Sequence, residues 1–428
     1  MGNTPSSPPR SPLVNDEGRT PVYLPDEILI EILSYIPHES ESQPDLNSFC
    51  RVSRQWYGVG IARLYAEPYL VGGAYTLFVQ TICPSINTHI RKSELASLVR
   101  KLDLSGIVHQ SSKSVTARLL GRTKASLEYF VAPQASFAIN CWAALSKCTR
   151  LRHLDLSLVS ESISFQAFNQ TIRSLPELTK LFLPRCSSTY NGNQLSMNIR
   201  WPPKLADLHL SGGIHTFMTE LNRVPSNFPP TLRDLSISHA PKVTSSDLLS
   251  LLGNLAPQLM DLTITNLPQL REGSLDSVLN LCPNLVFLTI SMDYLTYALG
   301  HMPTSFNPSM WQQGLPLLRL TLLTSGHHHR DSEFYLTPVD LWGMVDTRYL
   351  GRLRFVGVAE STGWDEGEWG NELMGLWDAL KQLDRENFEN ERWHFSDGSG
   401  RSSGLTYEQY ERSPDGRPHV PSIGIIAM

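Results

Sequence analysis

Three aspartates, Asp207, Asp234 and Asp261, recur 27 residues apart, each directly before a leucine in the pattern D-L-x-[L/I]. If each D-L-x-[L/I] is a strand and the strands lie side by side, they stand about 4.8 Å apart. Ionised carboxylates at that spacing repel by roughly 1 kcal/mol per neighbour in water, and by more once water is removed. Such a ladder could recognise a cation, a Lys or Arg near the middle of a bound segment. Equally, neighbouring basic side chains and water could neutralise it. His209, Phe287 and Arg319 stand at the same or the adjacent strand positions and complete the candidate binding set. The remaining chemistry-bearing residues point to packing or solvent. His327, His328 and His329 are consecutive, so they point in different directions and lack a carboxylate or cysteine at ligand spacing. Six cysteines are scattered without a C-x-x-C pair, which suits a reducing compartment, cytoplasm or nucleus. No G-x-x-x-x-G-K-[ST], G-x-S-x-G or H-E-x-x-H occurs, so we expect no catalytic residue, no metal site and no cofactor.

The elements that must carry those aspartates are written in a repeated template, P-x-L-x-x-L-x-[L/I], at Pro176, Pro203, Pro230, Pro257 and Pro283, spaced 27, 27, 27 and 26 residues apart. A further copy, TRLRHLDL, starts one 27-residue period upstream at Thr149. Leucines two apart share one side of an extended chain, and the residues between them point the other way. Each unit therefore predicts a short strand, and polar-started segments such as 165–172, 246–252 and 274–281 predict the helices between. No such unit can bury its leucines alone, so the units must stack as parallel strands backed by helices. Fixed register in five copies makes an ordinary α/β domain a poor account of the pattern. It resembles the leucine-rich repeats of the ribonuclease-inhibitor and F-box kind. That resemblance implies an α/β solenoid with parallel strands on its concave face and helices on its convex face.

Outside the regular copies the pattern is looser. L-x-L at 102–104 and a segment near Leu127 read as irregular first repeats within 71–148. Leu320 and Leu353 read as the centres of later strands, and 296–314 reads as an insertion, so the solenoid is placed at 149–358. The two columns facing away from the leucines then end in Arg352 and Arg354. Leucines and Trp377 at helical spacing place a closing helix in 359–395, and residues 396–428 read as a flexible tail. Net charge is −5 with 18% charged residues, so no global field draws the chain to nucleic acid or an anionic membrane. The apolar-rich run at 315–323 is too short and too charged to span a bilayer.

Residues 1–21, rich in proline and serine, read as a disordered tail. After them, LPDEILIEILSYI at 24–36 places Ile28, Leu29, Ile32, Leu33 and Ile36 at helical spacing. Pro25 suits the first helical position, and Asp26 and Glu27 suit the positive first turn. The segment 46–70 continues with Leu46, Phe49, Val52 and Trp56, and reads as two further helices broken near Gly58 and Gly60. A three-helix unit this small carries more apolar surface than it can hide, which points to a partner. The alternative is a helical cap on the open end of the solenoid.

The L-P start, the Ile/Leu rails, Asp45-Leu46, Phe49-x-x-Val52-Ser53 and Trp56 resemble an F-box over 22–70. That resemblance implies docking on a Skp-type adaptor, and through it a cullin scaffold, with Leu24, Pro25, Ile28, Leu29, Ile32, Leu46, Val52 and Trp56 as contacts. The loop after the first helix looks a few residues longer than the family's. Taken together, the resemblances imply the substrate-recognition subunit of an SCF ubiquitin ligase, itself non-catalytic, with the solenoid holding an unidentified target protein. The alternatives are an F-box/LRR scaffold acting without ubiquitin transfer, and an enzyme with a site on the C-terminal insertions.

Overall fold

Proline before an acidic first turn sets where the first helix begins. In the computed structural model α1 runs Asp26–Ser34, and Pro25 stands one residue earlier than expected, as its N-cap, with its carbonyl accepting from Ile28 and Leu29 N–H at 3.1 and 3.2 Å. The described residues are 24–37, 42–84, 93–107, 113–135, 137, 139–159, 165–184, 199–222, 228–325, 334–390, 406–413 and 420–427. The N-terminal tail, most of the loop after α1, and His327 to His329 lie outside them. Two units divide the chain, Met1–Ala66 and Glu67–Met428.

In the first unit α1 is followed by α2 (Gln43–Cys50) and α3 (Arg54–Ala66). Leu29, Leu33, Leu46 and Phe49 form its core, and Leu24, Ile36, Trp56, Val59 and Leu64 pack around them. Two side chains of α3 fasten α1 at both ends. Gln55 donates to the Leu24 carbonyl and to Asp26 Oδ1, each at 2.7 Å, and Arg63 donates to the Leu33 and Ile36 carbonyls. The expected break near Gly58 and Gly60 does not occur, since α3 is continuous. At Gly60 a Cβ would lie 2.7 Å from Phe49 Cδ1 and 2.9 Å from Cys50 Sγ, so this glycine is there to let α2 approach α3.

The second unit is one parallel sheet of eleven strands among the described residues, in sequence order. They are β1 (Lys101–Asp103), β2 (Tyr129–Val131), β3 (His153–Asp155), β4 (Lys180–Phe182), β5 (Asp207–Ser211), β6 (Asp234–Ser238), β7 (Asp261–Thr265), β8 (Phe287–Ser291), β9 (Arg319–Leu323), β10 (Phe355–Ala359) and β11 (Ser422–Ile426). Register follows the template: Leu208, Leu235, Leu262, Leu288 and Leu320 pair in line, and all are at most 2% exposed. Residues between the leucines form the open face. On the leucine side run the connecting helices, including α4 (Gly73–Ile82), α5 (Lys113–Thr123), α6 (Ile139–Leu145), α7 (Phe165–Ile172), α8 (His215–Asn222), α9 (Ser245–Leu255), α10 (Val278–Leu281) and α11 (Pro338–Asp346). This is the strand-and-helix stacking of a leucine-rich repeat.

Several details depart from expectation. α9 starts at Ser245, one residue before the expected 246, and its cap is Thr244, which accepts from Asp247 N–H at 3.3 Å. In place of a full helix at 274–281 only α10 forms, because the Asp276 carboxylate turns away to bind Thr296 N at 2.7 Å and Thr296 Oγ1 at 2.5 Å. β2 centres on Phe130 and β10 on Val356, three residues after Leu127 and Leu353. The inward position demands apolar volume, which phenylalanine and valine supply as well as leucine, so the pattern continues where leucines stop. Residues 396–428 are not simply a tail, for the helix α13 (Tyr407–Arg412) and strand β11 lie there, β11 pairing in parallel with β10.

The closing helix α12 spans Gly367–Glu389 and packs beside α11. Its Asp384 is 3% exposed, paired with the equally buried Arg354 and accepting from Tyr407 Oη at 2.8 Å. Burial pushes the Asp384 carboxyl above its usual range, and Arg354 and Tyr407 oppose that. Arg354 therefore does not belong to the open face. Nor does Arg352, which stacks on Trp311 at 4.4 Å. Phe355 and Gly357 take the two column positions instead.

Candidate functional site

Helical spacing gives α1 two apolar stripes, and packing decides between them. Leu29 and Leu33 point into the core, whereas Ile28, Ile32 and Tyr35, at i, i+4 and i+7, are 46, 36 and 78% exposed. Val52 and Pro25 are exposed as well. Leu24 and Trp56 are partly buried, with the Trp56 ring 4.6 Å from Phe49. Of the eight residues expected to meet an adaptor, Leu29 and Leu46 are therefore misplaced. They hold the unit together from inside, and a residue with no exposed surface has none to give a partner. Tyr35, Ile30 and Tyr57 are exposed in addition, and the sequence reasoning passed over them. The i+7 spacing of Tyr35 from Ile28 was the available signal.

On the open face of the sheet, the three aspartates are brought into line as expected: Asp207 pairs in register with Asp234, and Asp234 with Asp261. They are not equivalent. Asp207 meets Lys180 Nζ at 2.5 Å and lies 2.8 Å from His209 Nε2, which approaches too far off the ring N–H line for a well-formed hydrogen bond. Burial alone would raise the Asp207 carboxyl, but His209 and Lys180 overcome it and hold it below the usual range. Asp234 and Asp261 have no ion-pair partner among the described residues. Burial pushes both upward, reinforced at Asp234 by Asp207 and Asp261 and at Asp261 by Asp207. Neutralisation by an adjacent basic group, Lys180, thus accounts for one aspartate of the three, with His209 beside it.

Either side of this carboxylate pair lie rings. Tyr129 stacks on His153 at 3.9 Å and Phe182 on His209 at 3.8 Å, with His153 and Phe182 5.3 Å apart. Burial pushes His153 down to about 4, so it stacks as the neutral imidazole. Across the aspartates, the Arg319 guanidinium lies 6.0 Å from the Phe287 ring and 5.1 Å from that of Phe355. Phe287 and Arg319 thus flank the aspartate pair on neighbouring strands, as the spacing implied, and Phe355 joins them where Arg352 was expected.

A family model described as F-box-like matches residues 22–70, the stretch containing α1, α2 and α3. Residues 22–70 are an F-box-like domain. Among relatives, an F-box protein of Saccharomyces cerevisiae, YDR306C, is 35% identical over 147 residues, covering 34% of this chain and 30% of that protein. Protein pof5 of Schizosaccharomyces pombe is 31% identical over 160 residues, covering 37% of this chain and 43% of that protein. The chain therefore matches less than half the length of either relative. A solved chain from a TLR13–ssRNA13 complex is 18% identical over 62% of this chain and 41% of that one, with a TM-score of 0.32, a likeness too low to carry any argument. The second unit, from Glu67, carries the repeat sheet described above.

Proposed function

We propose that this chain is the substrate-recognition subunit of a Skp–cullin–F-box ubiquitin ligase. The F-box-like domain docks a Skp-type adaptor, the adaptor joins it to a cullin scaffold, and the repeat sheet holds a target protein. Ubiquitin transfer then follows from proximity, since tethering makes the encounter of target and ligase intramolecular. The chain supplies binding surfaces and no catalytic group. The observation that carries this reading is the exposed stripe of Ile28, Ile32 and Tyr35 on a domain whose small core is built on the buried Leu29, Leu33, Leu46 and Phe49. Pro25 and Val52 extend the contact, and Leu24 and Trp56 fix its shape. On the target side, Asp234 and Asp261 receive a Lys or Arg, with Phe287 and Arg319 beside them.

Affinity capture of the full chain tests both halves. The wild type should retain adaptor and cullin, and the double variant Ile28→Glu, Ile32→Glu should retain at least tenfold less of both. Undiminished capture by that variant sinks the docking surface. Adaptor without cullin favours a scaffold that promotes no ubiquitin transfer. The triple variant Asp207→Lys, Asp234→Lys, Asp261→Lys should abolish target capture while leaving adaptor binding intact, and a target still captured removes the cation-binding role of the aspartates.

A further inference from the structure

The template has positions that neither the leucine core nor the open face uses. Two of them form columns along the edge of the sheet where the strands begin. Arg233, Met260 and Val286 occupy the position just before the first strand residue of β6, β7 and β8. Gln258, Asn284, Pro316 and Arg352 occupy the position just before the first inward residue of the units of β7 to β10. With Pro257, these two columns line a trough of about 380 Å³.

Its polar groups are arranged asymmetrically. Asn284 turns its Nδ2 donor onto the Pro257 carbonyl at 2.9 Å, and Gln258 turns Nε2 toward the Pro229 carbonyl at 3.4 Å, so each amide commits one N–H to backbone. Met260 is 42% exposed and Val286 half-buried, which leaves an apolar floor. A guanidinium stands at each end. Arg233 reaches the Gln258 carbonyl at 3.3 Å, and the Arg352 guanidinium lies over Trp311, 4.4 Å from the ring centroid. No carboxylate is among the lining residues.

Trp311 comes from the insertion 296–314, and that insertion is fixed to the scaffold. Phe306 meets Tyr349 edge-on at 5.1 Å, Leu315 N–H donates to the Tyr349 carbonyl at 2.8 Å, and Gly314 sits where a Cβ would lie 2.7 Å from the Arg348 carbonyl. An indole held in this way keeps the Arg352 fork in one orientation, which lowers what binding must freeze. Burial also pushes Arg352 below its ordinary value, because the charged form loses water there.

We propose that this trough binds an extended acidic segment of a partner protein, one carboxylate at Arg233, another at Arg352, and apolar side chains between them over Met260 and Val286. Arginine suits the role because its planar fork takes a carboxylate through two parallel hydrogen bonds. From the unit of β6 to that of β10 is four strand spacings, about 19 Å, shortened by the reach of the two arginines. At about 3.3 Å per residue the two carboxylates stand roughly four to six residues apart. Nothing in this inference depends on the F-box-like domain, so its outcome is separate from that of adaptor capture.

Fluorescence anisotropy on the full chain provides the test. The probes are a labelled hexapeptide with glutamate at both ends and leucine and valine between, and its counterpart with glutamine at both ends. The acidic peptide should bind at least tenfold more tightly, and added salt should weaken it. Arg233→Glu, at an exposed position, and Arg352→Gln should each lose tenfold or more, and Trp311→Ala should lose less because it removes only the prop. Equal affinity for the two peptides, an Arg233→Glu variant that binds like the wild type, or no saturable binding by the wild type would each overturn the proposal. So would displacement of the peptide by millimolar inorganic phosphate at constant ionic strength, which would mark a small-anion site instead.

Discussion

The F-box-like domain and the repeat sheet use the same apolar residues by different rules. Along a strand, alternation separates inside from outside: Leu235 and Ile237 are buried, and Asp234 and Ser236, which alternate with them, face outward. Every unit repeats that decision, so a leucine's role can be read from its template position. On α1 the turn of about 100° per residue spreads Ile28, Leu29, Ile32 and Leu33 over one broad face. A core of four buried side chains covers only part of it, and neighbouring residues of one type end on opposite sides of the boundary. In a large periodic core, position fixes burial, whereas in a small helical one the angle of the packing partners does.

The largest expected effect probes the place where the repeat sheet breaks its own rule. Removing the carboxylate in Asp384→Ala leaves Arg354 charged and buried, and should cost about 3–5 kcal/mol in urea unfolding. A loss below about 1 kcal/mol would mean that water reaches the pair. Next comes the boundary on α1. Leu29→Ala should destabilise the F-box-like domain by about 2–5 kcal/mol, and Ile28→Ala by about 0.5 kcal/mol while weakening adaptor binding. Equal losses of stability would erase the contrast drawn between the two residues. Gly60→Ala should cost about 1–3 kcal/mol, because the new methyl meets Phe49 and Cys50.

The smallest effects concern the aspartates and carry opposite signs. Asp207, whose carboxyl is held low, contributes stability that is complete at neutral pH and is lost as pH falls from the ordinary carboxylate value through its folded one. Asp207→Asn should therefore destabilise by about 1 kcal/mol at pH 7 and flatten that acid-side loss. Asp234 and Asp261, held high, do the reverse: the folded state keeps their protons longer, so their destabilising charge disappears as pH falls from the raised value toward the ordinary one. Asp234→Asn should raise stability at pH 7 by less than about 1 kcal/mol. Unfolding free energies of the two variants from about pH 3 to pH 7 check both signs, and parallel curves would refute the inequivalence of the three carboxylates.

Constant spacing was enough to give the sheet, its register from β3 to β8 and the alignment of Asp207, Asp234 and Asp261. A period of 27 residues leaves a chain of strands few ways to stack. Composition and helical spacing likewise gave three helices before the sheet. Leucine counting failed at β2, β10 and β11, where phenylalanine, valine and isoleucine fill the same inward place. That substitution displaced Arg352 and Arg354 from their true positions by three residues. Tertiary structure alone decided that Leu29 and Leu46 face inward, that Lys180 neutralises one aspartate and leaves two, and that Arg354 finds Asp384 thirty residues away. Alternation along a strand is a property of the local backbone, so it is present in the sequence. Which charges meet, and which side of a helix is covered, depends on residues distant in the chain, and only packing brings those together.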